Sequence, residues 1–192
     1  MKTRHYLAAA LTTLLPALAS AHPGHDLQPG FVVGVLHPLS GLDHLAVMLA
    51  VGVWAALLGG RMRWALPTTF VAWMLVGALL GMSGMYLGAA EQGIAASVCL
   101  MGLLLAAKTK LPASAYVVLV SSFAIFHGYA HGVEAPQQAS AIRYMSGFAL
   151  STIALHLAGL QMGSLLMRHQ QQTTLRWTGA AMVVGGLALF VG

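Results

Sequence analysis

A chain of 192 residues that is 58% hydrophobic and 7% charged, with a mean hydropathy of +0.80, lies far from the roughly 25% charged composition of soluble domains. It reads as an integral membrane protein with no soluble domain. The net charge of +5 comes from basic residues spread in pairs between apolar runs, a pattern that sets membrane topology and excludes a nucleic-acid partner.

Residues 1–21 have the three parts of a secretory signal peptide: Lys2 and Arg4, an apolar stretch from Tyr6 to Leu18, and the small-residue end Ala19-Ser20-Ala21. An uncleaved first helix is the alternative, but this stretch is short for a span of about 20 residues. Cleavage after Ala21 leaves His22-Pro23-Gly24-His25-Asp26 as the mature start, outside the cytoplasm. His22, His25 and Asp26 then offer a loose metal-capture site, the alternative being a polar spacer. Pro23 has no amide hydrogen, so a square-planar site built from successive deprotonated amides cannot form.

Six apolar segments follow as a single domain over 22–192: Phe31–Leu58, Ala65–Met82, Ala89–Ala107, Ala113–His131, Ile142–Leu166 and Leu175–Val191. Most reach the length that a bilayer core about 30 Å thick requires. The expected fold is therefore all-α, with six transmembrane helices after a cleaved signal peptide. The first segment is too long for one upright helix, and Pro38 with Gly41 should break it.

With the mature N-terminus in the periplasm of a bacterial inner membrane, the loops carrying Arg61/Arg63, Lys108/Lys110 and Arg168/Arg176 face the cytoplasm. Only Arg143 departs from the positive-inside rule. The spacings Gly77-to-Gly81, Gly84-to-Gly88, Gly128-to-Gly132 and Gly159-to-Gly163 suit close helix packing. Spans one to three and four to six have opposite orientation, which permits an inverted repeat, although their sequences do not visibly show one.

Two clusters carry the chemistry. The first is His37-Pro38-Leu39-Ser40-Gly41-Leu42-Asp43-His44 and the second Phe126-His127-Gly128-Tyr129-Ala130-His131-Gly132-Val133-Glu134. An ionisable group at mid-bilayer costs about 2.5–3.5 kcal/mol on the insertion scale, and two of the chain's four acids lie beside these histidines. The single cysteine, Cys99, cannot build a disulfide or a thiolate cluster, so a metal here must use His, carboxylate or Met.

On a helix His127, His131 and Glu134 share one stripe, a facial half-site for a divalent first-row ion. Packing histidines with a solvated glutamate are the alternative. Gly128 and Gly132 beside them admit another backbone or the ion. Asp43 and His44 point about 100° apart on a regular helix, so one ligates while the other orients a partner. Met48, one turn beyond His44, is a soft ligand or a packing residue. His156 in span five is either a second station on the path or a hydrogen-bonded packing histidine, while Glu91 and Gln92 mark an outer interface.

The stretches HPLSGLDHLAVM and FHGYAHGVE resemble the paired signatures of the HupE/UreJ family, membrane proteins associated with hydrogenase and urease gene clusters and regarded as nickel permeases. The resemblance covers the whole chain, signal peptide and six spans included. It implies His37, Asp43, His44, His127, His131 and Glu134 as the motif positions, and Ni²⁺ as transported substrate for hydrogenase or urease. No catalytic residue and no resident cofactor are implied. Nitrogen and oxygen ligands also accept Co²⁺, and oligomeric state is open.

No GxxxxGK[ST] phosphate loop is present. A divalent cation moving into a compartment 100 mV negative gains about 4.6 kcal/mol, so a secondary permease or passive facilitator suffices. Two other classes compete: a haem-binding membrane cytochrome with axial histidines, and an intramembrane metal-dependent hydrolase assisted by Ser40 or Asp43. Glycine beside the ligands favours ion passage over a walled substrate pocket.

Overall fold

The computed structural model describes residues 30–107, 111–136 and 140–191. The expected signal peptide, the candidate ligands His22, His25 and Asp26, and the loop residues Lys108 and Lys110 lie outside these described residues.

Seven helices account for most of the chain: α1 (Gly30–Leu36), α2 (Leu42–Leu58), α3 (Met62–Met82), α4 (Ala90–Ala107), α5 (Ala113–Val133), α6 (Ala141–Arg168) and α7 (Gln172–Val191). Helices α3 to α7 are each long and apolar enough to cross a membrane; α1 and α2, bent by 81° at a short break, make a sixth span if counted together. The chain is an all-helical, multi-pass membrane protein.

The break falls where Pro38 and Gly41 place it. Pro38 has no amide hydrogen to continue the α-helical ladder, so His37–Leu39 tightens into a 3₁₀ turn. The Ser40 hydroxyl then donates to the His37 carbonyl at 2.6 Å, and Gly41 takes an extended conformation (φ −104°, ψ 123°) before α2 begins. Irregular backbone at this depth is tolerated because its polar groups find partners inside the protein.

Large apolar side chains such as Trp73, Leu79, Leu150, Trp177 and Val184 are exposed on the outer surface, as a lipid-facing surface requires. Inside, small residues bring backbones together, since burial of apolar surface gives little drive between helices in lipid. Gly128 and Gly132 of α5 lie against the Met74 and Ala78 carbonyls of α3, and Gly77 and Gly81 of α3 lie against Ile125 and Tyr129 of α5. These two helices run parallel. Helices α2 and α6 form a second parallel pair, in which Gly52 meets the His156 carbonyl and Gly159 meets that of Leu49. Helices α4 and α7 are antiparallel, with Gly102 and Gly179 each against the other's carbonyl.

One expectation is corrected, and of two alternatives for another pair of glycines, approach of a second backbone is the one found. Gly84 has a φ of +75° and nothing packed on it, and Gly88 meets only the Tyr86 side chain, so that spacing serves a turn and not a helix interface. Gly128 and Gly132 are occupied by the backbone of α3; they bring α5 close to α3 and provide no room for an ion.

Candidate metal site

Bending the first span turns His37 back over the end of α5, while α2 carries His44 beside the middle of the same stripe. The result is a ladder of four imidazoles drawn alternately from the two clusters. Ring centroids of His37 and His131 are 4.7 Å apart, those of His131 and His44 4.3 Å, and those of His44 and His127 4.7 Å. Glu134 caps the ladder at the surface with a side chain 60% exposed, and His127 closes it at 0%.

Hydrogen-bond partners fix which ring nitrogen of most rungs is free. The ionised Glu134 carboxylate only accepts, so His37 Nε2 donates to its Oε2 at 2.9 Å. This hydrogen bond from His37 holds the Glu134 carboxyl below its ordinary value of 4.5. Asp43 Oδ1 likewise accepts from His44 Nδ1 at 2.9 Å and from the His44 backbone at 2.8 Å, which leaves Nε2 of His44 as the lone-pair nitrogen. Of the consecutive pair, Asp43 is the orienting carboxylate and His44 the rung whose lone pair is free.

At the foot of the ladder the Ser97 hydroxyl donates to the Ile94 carbonyl at 2.6 Å. Its oxygen lies 2.8 Å from His127 Nε2; since that hydroxyl proton is already committed, His127 must donate and keep its lone pair on Nδ1. His44 Nε2, His127 Nδ1 and both nitrogens of His131 are buried without a protein partner. A buried polar atom left so costs about 1–3 kcal/mol, so these nitrogens are open to a partner from outside the chain. His37, His131 and Glu134 can each offer one ligand atom with all three within 4.8 Å of one another, an imidazole and carboxylate set that suits a divalent first-row ion.

All six principal candidates therefore come together. Met48 is fully buried within the hydrophobic core. His156 stands apart from the ladder: its ring lies 5.0 Å from Phe70, which lies 6.0 Å from His127. Sequence reading missed Ser97, one hydroxyl in an apolar run with no spacing signal, and Tyr144, whose hydroxyl donates to the His131 carbonyl at 3.2 Å.

A cavity of about 610 Å³ opens beside the ladder, lined by Asp43, His44, Glu91, Gln92, Ala130, Val133 and Glu134 among others. Three of the chain's four acids thus face one opening. At the other end of the bundle a cavity of about 550 Å³ is lined by Trp54, Leu57, Leu58, Tyr116, Gln170, Gln172 and further apolar residues, with no charged group among the described residues.

Comparison with known proteins places this geometry. Residues 9–189 match the family described as HupE / UreJ protein. The chain is 40% identical over 178 residues to Protein HupE of Rhizobium leguminosarum bv. viciae, covering 93% of each. No solved structure matches significantly. With the bent first span and the fourth carrying both histidine signatures into one site, the chain belongs to the HupE/UreJ family.

Proposed function

We propose that the protein carries a divalent transition-metal cation, Ni²⁺ and by the same donors Co²⁺, across the bacterial inner membrane to supply hydrogenase or urease. The observation that carries this reading is the imidazole ladder, whose buried lone pairs lack protein partners and whose mouth holds a carboxylate. The acid-lined cavity concentrates cations. Glu134 and His37 take over part of the hydration shell, and His131, His44 and His127 receive the ion stepwise.

Orientation follows from charge. Arg61 precedes α3 and Arg63 lies in its first turn, Arg168 ends α6 and Arg176 lies in the first turns of α7, all at the end with the second cavity. By the positive-inside rule that end is cytoplasmic and the ladder faces the periplasm. A bis-histidine haem is disfavoured, because successive ladder rings, edge-on or tilted with centroids 4.3–4.7 Å apart, leave no room for a porphyrin between them.

Uptake of radiolabelled nickel and cobalt by cells expressing wild type, His44→Ala, His127→Ala and Glu134→Ala tests the proposal. Accumulation by wild type and its loss in the variants, with normal membrane insertion, is the expected result. Equal accumulation with and without the wild-type protein overturns it.

A further inference from the structure

The helix pairs repeat one another upside down, residue for residue. Gly52 meets the His156 carbonyl as Gly128 meets that of Met74; Gly159 meets Leu49 as Gly77 meets Ile125; Gly163 meets Val53 as Gly81 meets Tyr129. One register covers all three: Leu49, Gly52 and Val53 fall on Ile125, Gly128 and Tyr129, while His156, Gly159 and Gly163 fall on Met74, Gly77 and Gly81. The mutual contact of Gly102 and Gly179 is its own image. The two cavities obey the same relation, since Ala130, Val133 and Glu134 of the first fall on Trp54, Leu57 and Leu58 of the second.

A two-fold operation in the membrane plane leaves its axis where a set of contacting residues maps onto itself. Phe70 packs edge-on against His156 with centroids 5.0 Å apart, and Thr152 Oγ1 donates to Met74 Sδ at 3.5 Å. In the same register Phe70 corresponds to Thr152 and Met74 to His156, so these contacts exchange with one another. The axis passes through this four-residue rung, between the two cavities. There His156 is 1% exposed, and neither ring nitrogen has a protein partner.

Inverted-repeat transporters bind substrate at the repeat interface near the bilayer midplane. Resting on the transport reading above, we infer that His156 is a mid-membrane transit site for the cation, separate from the outer ladder, with the Met74 thioether and the Thr152 hydroxyl one turn away as weak auxiliary donors. One imidazole with a thioether and a hydroxyl is too sparse a set for a resident metal centre, and suits an ion that must leave again.

The test uses full-length protein in liposomes with a trapped nickel-sensitive dye, alongside equilibrium Ni²⁺ binding in detergent. His156→Asn and His156→Gln should lower initial influx by about tenfold or more while leaving outer-ladder affinity and melting temperature near wild type. Influx within about twofold of wild type in either folded variant overturns the inference and leaves the transport reading intact; no influx by wild type overturns the transport reading and this inference with it. Should both variants misfold, His156→Cys in a Cys99→Ala background decides: Cd²⁺ should produce a thiolate-to-metal ultraviolet band, and a folded variant without that band overturns the transit site.

Discussion

The two cavities have matched helix positions and opposed chemistry. Beside the first cavity α5 carries His127, His131 and Glu134, whereas the equivalent points of α2 beside the second are Val51, Ala55 and Leu58. Backbone packing is thus symmetric while the placement of candidate ligands is not. On the transport reading proposed above, capture and release are separated: the acid-lined mouth would hold a cation, and the other mouth, whose described lining of Trp54, Tyr116, two glutamines and apolar residues carries no charge, would not retain it. Strong ligands at both ends would slow release, because a path must bind well enough to admit an ion and weakly enough to let it go.

His131→Ala should break this contrast most completely, since His131 stands between His37 and His44 and has both nitrogens free. Nickel affinity measured by equilibrium dialysis should fall by about 100-fold, the upper end of what changes around a metal site produce. A loss below about threefold would place the ligands elsewhere. Smaller losses are expected from the residues that fix lone pairs. Asp43→Asn presents an amide that donates as readily as it accepts and frees His44 to change tautomer, and Ser97→Ala removes the acceptor for His127 Nε2; each should cost about tenfold in affinity. Circular dichroism should show both folded, and unchanged affinity in both would show that tautomer control is unimportant.

The candidate ligands were legible in sequence and their order along the ladder was not. Histidines four apart beside a carboxylate reveal a stripe on α5, and Pro38 with Gly41 reveals the bend. That His37 and His44 interleave with His131 and His127 follows from the 81° angle, which no spacing encodes. The inverted repeat stayed hidden for a related reason. Its halves share glycines at contact positions, Gly52 with Gly128 and Gly77 with Gly159, but lipid-facing positions accept any apolar residue and the ligands occupy one end only. Tertiary register makes the match visible, because glycines are required only where two backbones meet.

Matched glycines give the next test. A methyl group at Gly128 would meet the Met74 carbonyl and one at Gly52 the His156 carbonyl, so Gly128→Ala and Gly52→Ala should each force a helix pair apart. Overpacking of this kind costs about 1–3 kcal/mol, read as similar drops in melting temperature by size-exclusion thermal assay. Stability should respond symmetrically. Nickel affinity should not: Gly128 adjoins His127, whereas Gly52 lies two turns along α2 from His44, away from the ladder. Equal loss of affinity in both variants would contradict the separation of the two mouths.

The smallest expected effect concerns pH. Glu134 has its carboxyl held below 4.5 by His37, so it remains ionised across pH 5–8. Its hydrogen bond from His37 therefore stabilises the fold above the ordinary carboxyl range, and that contribution fades only as pH falls below this range through the lowered folded value. Melting temperatures of wild type and Glu134→Gln should accordingly keep a constant small gap from pH 8 to 5 and converge at more acid pH. Nickel uptake should show the same constancy: because the Glu134 carboxylate is ionised throughout this range and draws cations to the mouth, uptake by Glu134→Gln should lie below wild type by a constant factor from pH 8 to 5. A gap in uptake that closed between pH 8 and 5 would mean that the carboxyl gains its proton in that range, and Glu134 would lose its role as the charged cap of the ladder.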